Sequence, residues 1–132
     1  MQHITSAEIG EMEKLFRLNL INSVTGYKSA NLIATKSEEK GVNVAVFSSV
    51  THLGSNPALR GFIARPTKEV ARNTYKNIKE NKYFTVNHIQ KDMIESAHQT
   101  AAKYDEEISE FQQTGLEEEY LDNFFAPYVK QS

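Results

Sequence analysis

Four successive segments between Asn43 and Thr74 limit what this chain can build. The first, from Asn43 to Phe47, alternates as a strand does. It empties into Ser48-Ser49-Val50-Thr51-His52-Leu53-Gly54-Ser55-Asn56-Pro57, which is rich in hydroxyls and turn residues. A second strand-like run, Leu59 to Ala64, ends in Arg65-Pro66. A basic, hydroxyl-bearing stretch, Thr67 to Thr74, then opens a helix. Strand, polar loop, strand and basic helix start, in that order, suit a pocket for a flat ring carrying a phosphate tail. The remaining residues read as its scaffold.

Bulk properties narrow the alternatives. A chain of 132 residues is long enough for one domain with a modest core, and residues 1–132 are read as one. The net charge of −2 gives no basic surplus for general nucleic-acid or membrane binding. Cysteine is absent, which excludes disulfides, thiol catalysis and a cysteine zinc site. No apolar run approaches the roughly 20 residues that span a bilayer. Met1 to Ser6 lacks a signal-peptide pattern, so the expected location is cytoplasmic.

Ser6 to Phe16 is predicted to form an amphipathic helix capped by Ser6, with a break at Ser23-Val24-Thr25-Gly26. Ala30 to Thr35 and Val42 to Phe47 form a predicted hairpin around Ser37 to Gly41. Val42, Val44 and Val46 share one face of the second strand; Asn43, Ala45 and Phe47 share the other. Leu59 to Ala64 and Tyr83 to Ile89 are the remaining strands. Helices are expected at Asn73 to Glu80, with Asn73 or Thr74 as cap, and at Lys91 to Lys103. A helical turn or two at Asp105 to Phe111 and a short helix at Leu116 to Phe125 complete the reading. Four strands do not readily close a barrel, so exposed edges are expected to be paired or covered.

The candidate chemistry sits in two places. Arg65, Lys68, Arg72, Asn73 and Thr74 could grip a phosphate: guanidinium groups bind it bidentately, and N–H groups opening a helix attract anions. Thr67 adds a hydroxyl. The same residues also read as a solvated loop whose charges pair with Glu69. At Phe47 to Thr51 a strand leaves its ladder and frees backbone groups for a ring edge. From the residues alone, an ordinary polar loop is the plainer reading there. His3, His52, His88 and His98 lack paired metal spacing. His88 reads as a structural hydrogen-bonder, while His52 and His98 could line a pocket. There is no nucleophile elbow, G-x-G-x-x-G or Walker loop.

Taken together, six segments resemble the flavin reductase-like family, whose fold is the FMN-binding split barrel. They are Asn31 to Thr35, Phe47 to Pro57, Gly61 to Pro66, Arg72 to Ile78, Tyr83 to His88 and Ala97 to Tyr104. They span nearly the whole chain in the family's order, and Arg65-Pro66 followed by Asn73-Thr74 and Asn77-Ile78 is the most specific signal. The resemblance implies a mainly β fold with flanking helices (α+β) and an FMN site at a homodimer interface, with FAD as the other flavin. Its ring-contacting segment matches Ala45 to Thr51, through backbone and serines: Ala45, Phe47, Ser48, Ser49, Val50 and Thr51. Its phosphate-gripping positions match Arg65, Arg72, Asn73 and Thr74. Hydride from NADH or NADPH would pass to flavin without a dedicated acid–base residue, and His98 and Thr100 are candidates to line the nicotinamide pocket. Relatives usually continue past the position of Ser132, so the split barrel is expected to be incomplete at its C-terminus. Two alternatives stay open: an electron-transfer module without nicotinamide activity, and a non-catalytic oligomerising remnant.

Overall fold

The computed structural model describes residues 3–65, 72–105 and 108–132. Its centre is β1 (Asn31–Ser37), flanked by β2 (Gly41–Phe47) and β5 (Thr85–His88) in an antiparallel sheet of order β2-β1-β5. The predicted hairpin is present: Ala34 pairs with Val44 and Thr35 with Asn43. Gly41 starts β2 at a φ of +79°, a conformation that costs glycine little, which is why the turn closes there.

The two faces of this sheet differ in chemistry. Leu32, Ala34 and Val44 face a core completed by Met93, Ala97, Phe111, Leu116 and Val129. Val42 and Val46 pack against its edge, as the shared valine face requires. The opposite face carries Thr35 and Asn43 as cross-strand neighbours, both buried. Against it lies α3 (Asn73–Asn81), whose inward side is polar rather than apolar. Asn77 Nδ2 donates to Thr35 Oγ1 at 3.0 Å, and Asn81 Nδ2 donates to the Lys36 carbonyl at 3.1 Å. Thr74 and Asn43 lie 3.0 Å apart between side-chain polar atoms. Thr74, Asn77 and Asn81 follow helical spacing and so share one face.

β2 is an edge strand, and α4 (Ile94–Gln99) and α5 (Glu110–Thr114) cover it. The Thr100 hydroxyl accepts from Val46 N at 3.0 Å and donates to the Ala97 carbonyl at 2.8 Å, which satisfies one edge N–H. At the other edge Asn87 knits β5 into place. Its Nδ2 donates to the Leu32 carbonyl, and its Oδ1 accepts from Val129 N at 2.9 Å.

Several elements differ from the sequence expectation. The first helix stops at Glu11 (α1, Ser6–Glu11), and Thr5 caps it in a capping box with Glu8. Glu13 then caps a second helix, α2 (Lys14–Ser23), which ends where the break at Ser23-Val24-Thr25-Gly26 was expected. Thr51–Ser55 is a strand, β3, paired with β4 (Ala58–Gly61) in a separate hairpin; loop-forming composition hid a strand of exposed residues. The helix expected from Lys91 begins as a 3-10 turn, and α4 ends before Thr100. Leu116 to Phe125 is not helical. Its Glu118–Glu119 (β6) pairs with Tyr128–Val129 (β7), a register anchored by Lys130 N donating to the Glu117 carbonyl. Among the described residues the sheets do not close into a barrel.

Candidate functional site

The two candidate clusters lie at the two ends of β2 and its attached elements. Ala45 and Phe47 are half-buried in β2; Ser48 is exposed, Ser49 and Val50 half-buried, and Thr51 is exposed at the start of β3. The exit from β2 is clamped. Ser49 Oγ accepts from Ile63 N at 3.0 Å and lies 3.4 Å from the Ile63 carbonyl, which it faces as donor. This hydroxyl therefore holds the segment leading to Arg65 against the β2 loop. Phe47, Phe62 and Phe84 form a run of edge-to-face rings at 5.0 and 5.2 Å, which stiffens the same corner.

At the start of α3, Arg72 is the cap residue, in extended backbone and without a side-chain capping bond. Asn73 and Thr74, expected as caps, are instead the first two helical residues. Arg72 and Asn73 are half-buried and Thr74 is buried. Arg72 Nε and Asn73 Oδ1 are buried atoms without a hydrogen-bond partner. A buried guanidinium donor is costly to leave unpaired, and a phosphate oxygen is the kind of acceptor that satisfies it. Asn73 can present a donor to the same group with its amide turned over. The residues present thus fit a phosphate at this helix start. Arg65 is exposed at the end of the clamped segment. Thr67, Lys68 and Glu69 lie outside the described residues, and with them the alternative pairing of these charges.

The histidines are peripheral. His52 Nε2 is 3.1 Å from Ser55 Oγ on the exposed β3 strand. His88 is exposed rather than built into a buried network, and His98 is exposed on α4. Thr100 is buried, and its hydroxyl is occupied by Val46 and Ala97. No group of three or more His, Asp or Glu side chains suited to a metal ion occurs among the described residues.

Sequence reasoning missed Asn43 and Glu110. Asn43 was visible only as a polar residue inside a strand. Glu110 opens α5 against β2, and burial pushes its carboxyl above the ordinary carboxylate range, against the opposing pull of the Glu110 and Val44 backbone N–H groups.

The flavin reductase like domain matches residues 26–132. The chain belongs to this family. A split-barrel protein from Shewanella frigidimarina NCIMB 400, assigned as a flavin reductase, is 44% identical, with a TM-score of 0.91 over 100% of this chain. This chain spans 65% of that protein's length. Nitrilotriacetate monooxygenase component B from Bacillus cereus shares the fold at 19% identity, with a TM-score of 0.86 over 100% of this chain and 64% of that one. Flavoredoxin of Desulfovibrio vulgaris (Miyazaki F) shares it at 20% identity, with a TM-score of 0.71 over 80% of this chain and 56% of that one. No curated protein matches the chain. The family implies a flavin, and among the described residues no helix is long and apolar enough to cross a membrane.

Proposed function

We propose that this flavin reductase-like chain binds FMN and takes part in hydride transfer from NADH or NADPH to flavin. The observation that carries the reading is the start of α3, where Arg72 holds a buried, unpaired guanidinium donor beside Asn73 and Thr74. Arg72, Asn73 and Thr74, with Arg65, would hold the phosphate, and the freed N–H groups of the first helical turn would add to it. The backbone of Ala45 to Thr51 would hold the ring, at a corner made rigid by the Ser49 clamp and the three phenylalanines. When bound, the flavin supplies the hydride-accepting chemistry; the chain supplies orientation and electrostatics. That division fits a site without an acid–base pair.

One observation favours the second reading, an electron-transfer module without nicotinamide activity. Thr100, a candidate for the nicotinamide pocket, is buried and committed to holding β2. Anaerobic mixing with NADH or NADPH separates the two readings: rapid bleaching of bound flavin supports the reductase, and no bleaching supports the electron carrier. Arg72→Ala tests the phosphate role. It is expected to weaken FMN far more than riboflavin, and equal loss for both ligands would remove Arg72 from the site.

Homodimerisation belongs to the same reading. Leu15, Phe16, Leu18 and Ile21 of α2 and Leu53, Leu59 and Ile63 around the β3–β4 hairpin are exposed in the single chain. Where exposed apolar side chains form a contiguous patch, association commonly covers it.

A further inference from the structure

Asn43 stands between two groups that both bear on the start of α3. It is 5% exposed, on the sheet face that receives the helix. Its amide meets Thr74 Oγ1 at 3.0 Å on one side and Glu110 Oε2 at 3.3 Å on the other. Two orientations of that amide are open to it, and they differ in what Thr74 is left to do.

With Nδ2 toward Glu110, Asn43 donates to the carboxylate. Its Oδ1 then accepts from the Thr74 hydroxyl and lies 3.2 Å from Val44 N. The Thr74 hydroxyl proton is committed inward. With Nδ2 toward Thr74 the amide donates to Oγ1, and Thr74 keeps its proton for another acceptor. In that second orientation Asn43 Oδ1 faces Glu110, and Nδ2 lies 3.2 Å from Val44 N, whose N–H is then left to the Glu110 carboxyl. Two acceptors repel, so the arrangement requires Glu110 to carry a proton and donate it. The ionisation of Glu110 therefore selects the amide orientation.

We propose that Asn43 is a relay through which the proton on Glu110 sets whether the Thr74 hydroxyl can donate a hydrogen bond at the start of α3. Asn43 and Glu110 are positioning residues, and the relay rests on the reading of this helix start as the phosphate end of a flavin site. Ionised Glu110 turns the Thr74 proton away from a phosphate. Protonated Glu110 releases it. No covalent bond is exchanged between residues; one proton enters from solvent at Glu110, the Glu110–Asn43 and Asn43–Thr74 hydrogen bonds reverse direction, and the Val44 N–H gives up Asn43 Oδ1 as an acceptor.

The setting suits such a switch. The desolvation that raises the Glu110 carboxyl brings its titration closer to neutrality than an exposed carboxylate's. Lys40, on the β1–β2 turn, is the other ionisable side chain lining the cleft at Glu110 among the described residues. The remaining lining is Gly41, Val42, Asn43, Asn73, Asn77 and Ile108. Two residues of the proposed phosphate site, Asn73 directly and Thr74 through Asn43, thus meet the same cleft.

The test is the ratio of FMN to riboflavin affinity, measured by flavin fluorescence from about pH 8 down to about pH 4, so that the low end reaches the ordinary carboxylate range, where a raised carboxyl is protonated. The phosphate of FMN titrates in this range too, but equally in every variant. Glu110→Gln keeps the side chain's size and can donate to Asn43 at every pH, so it mimics the protonated form. The ratio in the unaltered protein is expected to start about tenfold below that of Glu110→Gln at high pH and to converge with it at low pH, one hydrogen bond to a charged group being of that order. Thr74→Val is expected to abolish the difference between Glu110 and its Gln variant, and Thr74→Ser to restore it. Superimposable profiles for the unaltered protein and Glu110→Gln, with FMN still preferred over riboflavin, would overturn the relay alone. No preference for FMN at any pH would overturn the phosphate site and the relay with it.

Discussion

At the scale of single residues, the fold depends on polar side chains that are buried because each has a partner. Asn87, on β5, joins two other strands: Nδ2 reaches Leu32 on β1, and Oδ1 takes the N–H of Val129 on β7. Asn87→Ala leaves both backbone groups stranded in the interior. A loss of about 2–4 kcal/mol in chemical denaturation is expected, and a loss below about 1 kcal/mol would show that water replaces the side chain. Glu110 carries the opposite sign. Its folded-state affinity for a proton exceeds that of the unfolded chain, so the native state binds more protons between the ordinary carboxylate pKa and the raised one. Stability attributable to this group is present below that window and is lost as pH rises through it. Glu110→Gln is expected to flatten this part of the pH–stability curve; a curve unchanged in shape would mean that burial does not perturb Glu110.

At the scale of elements, the docking of α3 on the sheet explains both what the sequence shows and what it hides. Hydrophobic alternation exposes β2 because Val42, Val44 and Val46 meet a conventional apolar core. The hairpin was legible for the same reason, with Gly41 marking its turn. The inward face of α3 offers no such cue: Thr74, Asn77 and Asn81 read as solvent-facing, yet they meet Thr35, Asn43 and the Lys36 carbonyl. Thr51 to Ser55 was hidden too, since an exposed two-stranded hairpin needs little hydrophobic patterning. β6 was missed because a two-residue strand depends on its distant partner at Tyr128–Val129, not on local propensity. That Arg72, Asn73 and Thr74 stand together at a helix start was legible because the residue types themselves carry that signal. The coupling of Thr74 to Glu110 was not, because 36 positions separate Thr74 from Glu110 (110 − 74) and only the fold brings them to one amide. Polar docking has a measurable consequence. Asn77→Leu strands the Thr35 hydroxyl and should cost about 1–3 kcal/mol, whereas the double variant Asn77→Leu/Thr35→Val should recover part of that loss. Strictly additive losses would show that the two side chains act independently.

At the scale of the whole molecule, the chain presents a three-stranded sheet covered by helices, and exposed apolar side chains on α2 and the β3–β4 hairpin. The expected assembly is a homodimer, and sedimentation over a wide concentration range should show it; a stable monomer throughout would contradict the reading. The family makes a flavin the expected ligand, and the proposed role of the start of α3, with its unpartnered Arg72 Nε, is to hold a phosphate. The most direct measurement is a fluorescence titration of the purified chain with FMN and, in parallel, riboflavin. Tight binding of FMN with clearly weaker binding of riboflavin is the expected result. Equal affinity for the two, or no binding by a folded chain, would contradict the assignment of Arg72, Asn73 and Thr74 as the phosphate site.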